Sequence, residues 1–291
     1  MVDLNNYNEG VSDSLIIGEE KIHSRLWLGS SMYPSPDVMS ECFSTAQPGF
    51  ITASLRRQTA REVSDNGNWQ LLQNYLQETQ ARLLPNTAGC HSAREAIQLA
   101  VMARELFATR WIKLEVIGDQ YSLQPHTLEL VDAARELVSQ GFNVLPYCTD
   151  DLVLCEALLN VGCKAVMPWA APIGTGKGLL NPYQLNTLRH RLPEAVLVID
   201  AGIGKPSQAM AAMELGFDAV LLNTAVAKAS YPVLMAAAFA KAVEGGRTAY
   251  LAGTMHERDL ASPSTPVAGL PFWHRQRKGE GKDKDKERGE G

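Results

Sequence analysis

Short apolar runs bounded by turn residues recur along the whole chain. They are SRLWLGS (24–30), FITASLR (50–56), ARLLPNT (81–87), WIKLEVI (111–117), FNVLPYC (142–148), KAVMPWA (164–170), AVLVIDAG (195–202) and AVLLNTA (219–225). The eight runs begin about 20 to 30 residues apart, which leaves room for one helix and two short loops in each unit. Between them the apolar residues change to helical spacing. In PHTLELVDAARELVSQGF, Leu128, Leu130, Val131, Ala134, Leu137 and Val138 fall near one stripe, and Gly141 ends it. SAREAIQLAVMARELF opens on Ser92 with Glu95 three residues later, a capping-box pattern. DDLVLCEALLNVGC opens on an aspartate cap and stops at Gly162, and SQAMAAMELGFD starts at Ser207 and breaks at Gly216. PVLMAAAFAKAVEGG begins with proline and ends with glycine.

Strand then helix, repeated with mostly apolar strands, predicts a parallel sheet covered by helices. Eight units predict an α/β fold of the closed (β/α)₈ TIM-barrel type, with an open doubly wound sheet as the rival. The barrel is expected over residues 15–270, after an N-terminal segment 1–14. Residues 57–80 are polar and helix-poor. The stretch RQRKGEGKDKDKERGEG (275–291) alternates in charge and has no apolar residue, so 271–291 is expected to be a disordered charged tail.

Composition narrows the function classes. Hydrophobic residues make up 45% and charged residues 20% of 291, which is ordinary for a globular chain. The net charge of -5 gives no electrostatic case for nucleic acid. Cys42, Cys90, Cys148, Cys155 and Cys163 are odd in number and form no CxxC pair, which favours reduced thiols over a disulfide scaffold. The histidines show no HxxxH or HExxH spacing, so no metal site is expected. The first residues lack a signal-peptide pattern, and no run approaches the roughly 20 apolar residues that span a bilayer. A cytoplasmic protein that does not enter a membrane is the expectation.

One strand carries an anomaly. In WIKLEVIGD (111–119), Lys113 and Glu115 interrupt an otherwise apolar run. Alternate strand residues share a face, so Lys113 and Glu115 point one way and Ile112, Leu114 and Val116 the other. In a barrel the apolar face meets the helices and the polar face points inward, with Glu115 nearer the C-terminal rim that carries active sites. One reading is a buried structural ion pair. The other is an amine nucleophile that condenses with a ketone to an imine, which needs a neutral amine. A nearby carboxylate opposes that by holding the lysine charged, so Glu115 must be protonated, displaced or used as the acid/base group.

Three later strand ends carry small residues that expose backbone. AAPIGTGKG (170–178), DAGIGKPS (200–207) and NTAVA (223–227) follow the sixth, seventh and eighth strands. Glycines let a phosphate approach backbone N–H groups, and loops after strands seven and eight are the usual phosphate site of such barrels. Gly202, Gly204, Asn223 and Thr224 fall there. A single such glycine is more often a plain tight turn, and neither loop completes a P-loop or a dinucleotide fingerprint. Three in succession opposite an inward lysine suit a phosphorylated carbonyl compound. Asp200 ends the seventh strand at the same rim and is either a loop cap or a second acid/base group.

The motifs LPNTAGC, WIKLEVIGD, GFNVLPYCTDD, VGCKAVMPWAAPIGTGKGL, VIDAGIGKPSQAMAAMELGFDAVLLNTAVA and SPSTPVAGL, in this order, closely resemble the bacterial thiazole synthases of thiamin biosynthesis. The resemblance implies a (β/α)₈ barrel that builds a thiazole phosphate from 1-deoxy-D-xylulose 5-phosphate, dehydroglycine and sulfur. It implies sulfur delivered as a thiocarboxylate on a small ubiquitin-like carrier protein, a separate dehydroglycine-producing enzyme, no bound cofactor and a homo-oligomer. By position it makes Lys113 the imine-forming residue and Glu115 and Asp200 the acid/base groups. It places Gly174, Ala201, Gly202, Asn223 and Thr224 on the phosphosugar. The chain departs from the family's usual GTGKF-like stretch after the first strand, where it has LGSSMYPS (28–35). A different imine-forming phosphosugar aldolase or lyase, and a non-catalytic scaffold for the carrier, are the competing readings.

Overall fold

The computed structural model of the chain describes residues 13–55, 67–262 and 264, with backbone alone at 67–69. The elements run β1 (Leu15–Ile17), β2 (Glu20–Ile22), β3 (Leu26–Gly29), α1 (Pro36–Ala46), β4 (Phe50–Ser54), α2 (Gly67–Glu78), β5 (Arg82–Asn86), α3 (Ala93–Phe107), β6 (Trp111–Leu114) and α4 (Thr127–Ser139). They continue with β7 (Asn143–Cys148), α5 (Leu152–Asn160), β8 (Met167–Pro168), α6 (Pro182–Arg191), β9 (Val198–Asp200), α7 (Pro206–Glu214), β10 (Ala219–Leu222), α8 (Thr224–Ala227) and α9 (Pro232–Ala252). Strands β3 to β8 pair with their neighbours in parallel and in chain order, and β9 pairs with β10, which pairs back to β3. Parallel bridges Val166–Leu197 and Trp169–Asp200 join β8 to β9 and close the ring. The fold is the (β/α)₈ barrel, not the open sheet.

The two faces of the strands separate as the alternation requires. Leu28, Ile51, Ile112, Leu114, Val144 and Ile199 pack outward against helix residues such as Phe43, Ala96 and Leu130. Trp27, Phe50, Leu84, Trp111, Leu145, Met167, Val198 and Ala219 fill the inside. Trp27, Phe50 and Trp111 meet edge to face, with ring centroids 4.8 and 5.1 Å apart. Burial of each large side chain contributes about 1.5–3 kcal/mol, and each ring pair roughly 0.5–1.5 kcal/mol more. These rings form an apolar floor beneath Lys113, the next inward residue of β6.

The β1–β2 hairpin closes the barrel from below and was not among the elements expected. Its Leu15, Ile17 and Ile22 join the inner cluster. The signal was present in LIIGEEKI, where Gly18 turns at φ +64° between apolar residues of one face. Asp13 fastens this end of the chain: its carboxylate accepts from Arg25, at 2.7 Å, and from Arg247 of α9, at 2.5 Å.

Several boundaries differ from the sequence reading. The polar stretch 57–80 contains α2, which buries Leu72 and Tyr75; the Tyr75 hydroxyl donates to the Phe43 carbonyl at 2.9 Å. Leu128 is exposed, because α4 buries Leu130, Ala133, Ala134 and Leu137 instead. Helix α7 begins before Ser207, and its free N–H groups at Gly204 and Lys205 are met by the Gln208 side chain. Ser92 and Asp151 cap α3 and α5 as expected, accepting from Glu95 and Leu154.

Helix α9 does not stop at Gly245–Gly246 but runs to Ala252. A Cβ at Gly246 would lie 2.5 Å from the Met210 carbonyl oxygen, so this glycine is where α9 rides directly on α7. The compact unit ends at Gly253, and a separate segment begins at Thr254, whose described residues are exposed. The tail 271–291 and residues 1–12 lie outside the described residues. Among the described residues no helix is long and apolar enough to cross a membrane.

The packing of Gly246 gives a prediction. Alanine is the better helix former by about 1 kcal/mol, yet Gly246→Ala is expected to destabilise the protein by about 1–3 kcal/mol through overpacking against rigid backbone. At Gly245 the added Cβ meets only the flexible end of Met210, at 3.2 Å, so Gly245→Ala is expected to be neutral or stabilising. Urea unfolding midpoints of the two variants check the contrast.

Candidate active site

Strand β6 alternates as its sequence demands, with Trp111 and Lys113 inside and Ile112 and Leu114 outside. Its ladder with β5 has one register pair, Asn86 with Lys113. Beyond it Thr87 takes over. The Thr87 N–H donates to the Lys113 carbonyl at 3.2 Å. Its hydroxyl donates to the Glu115 carbonyl at 2.8 Å and accepts from the Glu115 N–H at 2.7 Å. Thr87 is wholly buried, so it holds the backbone that carries Glu115 after the strand has ended.

Lys113, Glu115 and Asp200 converge. Asp200 ends β9 and faces Lys113 across the barrel, with Oδ2 2.5 Å from Nζ; Glu115 Oε1 lies 3.3 Å from the same nitrogen. The exposures are 6% for Lys113, 6% for Glu115 and 3% for Asp200, so bulk water does little to screen them. The ring of Tyr147, on β7, has its centroid 5.6 Å from Nζ.

Burial presses Lys113 toward the neutral amine, but Asp200 and then Glu115 outweigh it and hold its pKa above the ordinary lysine value. Burial pushes the Asp200 carboxyl up from its usual range, against the pull of Lys113. It does the same to Glu115, where Lys113 again opposes and Asp200 reinforces the rise. The free protein therefore holds an ammonium beside two carboxyl groups poised to take up its protons, rather than the neutral amine that attack requires. Asp200, which sequence reasoning placed at the rim without a partner, is the nearer of the two.

The loops above are stitched backbone to backbone. Ala201 and Gly202 both turn left-handed, at φ +69° and +78°. A Cβ on Gly202 would lie 2.3 Å from the Ala171 nitrogen, so only glycine fits. The Gly178 N–H donates to the Gly202 carbonyl at 2.8 Å, which ties the loop after β8 to the loop after β9. Across the mouth, the Asn223 amide donates to the Ser31 hydroxyl at 2.8 Å and the Ser30 hydroxyl donates to the Thr52 carbonyl at 2.7 Å. The atypical first loop LGSSMYPS is thus fastened to the loop after β10.

All nine residues singled out from the sequence (Lys113, Glu115, Gly174, Asp200, Ala201, Gly202, Gly204, Asn223 and Thr224) line one cavity of about 550 Å³. Ser30, Ser31, Thr52 and Asn86 line it too; sequence reading assigned them no role, although the first loop had stood out as unusual. Among the described residues Lys113 is the only cation on the cavity wall, so an anion at the glycine-rich side would meet neutral donors. Among the described residues no group of three or more His, Cys, Asp or Glu is placed to hold a metal ion.

The cavity lies on the C-terminal side of the barrel, where active sites of this fold are found. A family model described as "Thiazole biosynthesis protein ThiG" matches residues 16–266. The chain belongs to the ThiG family. A thiazole synthase of Variovorax paradoxus (strain S110) is 59% identical over 266 residues, covering 90% of this chain and 96% of that protein. A thiazole synthase of Paracidovorax citrulli (strain AAC00-1) is 57% identical over 263 residues, covering 90% and 96%. Identity of this extent makes the chain an enzyme of thiazole synthesis in the thiamin route. Among solved structures, a chain of the Amycolatopsis orientalis BexX/CysO complex superposes with a TM-score of 0.73 at 28% identity, covering 85% of this chain and 98% of that one. A thiamine phosphate pyrophosphorylase from Pyrococcus furiosus shares the fold, with a TM-score of 0.52 at 13% identity.

Two predictions follow from the geometry of this ThiG-family site. Thr87→Val keeps the volume but leaves the Glu115 N–H and carbonyl unpaired in the interior, with an expected loss of about 1–3 kcal/mol in urea unfolding. Asp200→Asn and Glu115→Gln each remove a charge that holds Lys113 protonated, so each should lower the Lys113 pKa, Asp200→Asn by more. Titration of ¹³Cε-labelled lysine by NMR reads this directly, and equal or absent shifts would contradict the assigned ordering.

Proposed function

We propose that the cavity binds 1-deoxy-D-xylulose 5-phosphate, with its phosphate against the backbone of the loops that carry Gly174, Ala201, Gly202, Asn223 and Thr224. The ketone then forms an imine with Lys113. The adduct is joined to dehydroglycine and to sulfur from a thiocarboxylated, ubiquitin-like carrier protein, giving the thiazole phosphate of thiamin. The observation that carries this reading is the one buried lysine among the described residues, held between two carboxylates in a cavity also lined by Gly174, Gly176, Gly202 and Gly204.

The proton balance suits the trio. Asp200 takes a proton from the ammonium, and neutral Nζ adds to the carbonyl carbon. The carbonyl oxygen takes up one proton to give the carbinolamine and a second to leave as water, while the nitrogen lone pair closes the C=N bond. The two protons lost by nitrogen end on that oxygen, and Asp200 and Glu115 return to their starting state. The product is a protonated imine, so a positive charge persists at Nζ. The same carboxyl groups then serve the proton transfers on the neighbouring carbons.

The likeness to a chain solved in a two-protein complex supports a protein partner for this chain as well. A cytoplasmic homo-oligomer, supplied by a separate dehydroglycine-producing enzyme, belongs to the same reading.

Incubation with 1-deoxy-D-xylulose 5-phosphate and borohydride is expected to add the reduced sugar phosphate to Lys113, located by peptide mass spectrometry, and Lys113→Ala should abolish the adduct. Because only the neutral amine attacks and its pKa is raised, trapping should quicken as pH rises through the neutral range. A wild-type protein that binds the sugar phosphate yet stays unmodified would support the scaffold reading instead. Adding the thiocarboxylated carrier and a dehydroglycine source should then yield a thiazole; an adduct without thiazole under those conditions would favour an aldolase or lyase.

A further inference from the structure

Tyr147 takes no part in the scheme above, yet its placement is unusual. It is wholly buried on the inner face of β7, and its ring is the third group around Lys113 Nζ, after Asp200 and Glu115. Its hydroxyl is buried with no hydrogen-bond partner among the described residues. A buried hydroxyl left unpaired is unfavourable, so the hydrogen-bonding end of the side chain does not explain why an aromatic stands here. The ring does have fixed surroundings. Trp169 meets it at 6.5 Å and 66°, and the Trp169 indole N–H is anchored on Asp150 at 2.9 Å.

The chemistry around Nζ points to what the ring offers. Nitrogen carries a positive charge before the reaction, as ammonium, and after it, as protonated imine. Asp200 and Glu115 balance that charge only while ionised, and each loses its charge whenever it holds a relayed proton. An aromatic face attracts a cation through its quadrupole, most strongly where water is excluded, and it takes up no proton. Among the described residues, Glu115, Asp200 and Tyr147 are the titratable groups that face Nζ, whereas Cys148 beside Tyr147 packs outward among the helices.

We infer that Tyr147 is a positioning residue for this reaction, whose ring face holds the cationic nitrogen of Lys113 in both its ammonium and its imine form. The imine half of this inference rests on the proposed function; the ammonium half does not.

The test uses the full chain and varies the ring at position 147 with little change of volume. Tyr147→Phe, its 4-fluoro and 3,4,5-trifluoro analogues, and Tyr147→Leu are compared with the wild type. One readout is the Lys113 pKa in the free protein, from ¹³Cε-lysine NMR. The other is the fraction trapped by borohydride with 1-deoxy-D-xylulose 5-phosphate at fixed pH. Tyr147→Phe should match the wild type in both. The fluorinated rings should lower the Lys113 pKa in graded steps, reaching about half to one unit for the trifluoro ring and Tyr147→Leu, and the trapped fraction should fall several-fold in the same order. If the trifluoro ring behaves as Tyr147→Phe does, the ring is only packing and the inference is wrong. If Tyr147→Phe falls as far as Tyr147→Leu, the hydroxyl acts and the inference is wrong in that way. Should Tyr147→Leu fail to fold, the fluorinated series alone decides. If the wild type is never trapped, the imine reading fails, while the pKa series still tests the hold on the ammonium.

Discussion

The interaction on which the site depends is the burial of one ammonium between two carboxylates inside an otherwise apolar barrel. Taking such charges out of water is costly, and mutual attraction offsets that only where the geometry is fixed. Much of the inner wall serves this end. Trp27, Phe50 and Trp111 make a dry floor, β9 delivers Asp200 from the opposite side, and Thr87 pins the backbone of Glu115 where the β5–β6 ladder has run out. A purely structural ion pair could be exchanged for apolar packing with little loss, so stability alone gives weak reason for keeping this one. What apolar packing cannot supply is a set of exchangeable protons within one hydrogen-bond length of an amine.

The opposite wall follows another logic. Among the described residues it presents no cation but a run of close approaches to glycine, with the Gly202 backbone against Ala171, Gly204 against Gly176, and Gly29 against the Asn223 side chain. Each contact excludes a Cβ, so the loops after β3, β8, β9 and β10 hold one another from all sides. Lysine is thereby left as the only cation on the wall among the described residues. An anion seated against this wall would meet neutral donors rather than a second cation.

Much of this was legible in the sequence because it rests on short-range rules. The alternation in WIKLEV sent Lys113 and Glu115 to one face, and the barrel made that face the inside. The caps at Ser92 and Asp151 are local and were read correctly. Two of the misreadings have a distant cause, in that the deciding contact lies far along the chain. Gly246 looked like a stop signal but is a contact with α7, and a polar stretch became helix α2 because Tyr75 finds the Phe43 carbonyl. The proximity of Asp200 to Lys113, the Ser31–Asn223 bond and the ring of Tyr147 all depend on closure of the sheet, which no local pattern encodes.

The hairpin of Leu15, Ile17 and Ile22 also bears on how the buried amine meets solvent. Its apolar side chains pack into the same inner cluster as the aromatic floor, so among the described residues the end of the barrel beneath Lys113 is filled by apolar groups. The polar cavity lies on the other side of Lys113, lined by the loops at the C-terminal ends of the strands. Water reaching the Lys113 amine from beneath would have to cross this apolar plug, so the amine exchanges its protons by way of the cavity above.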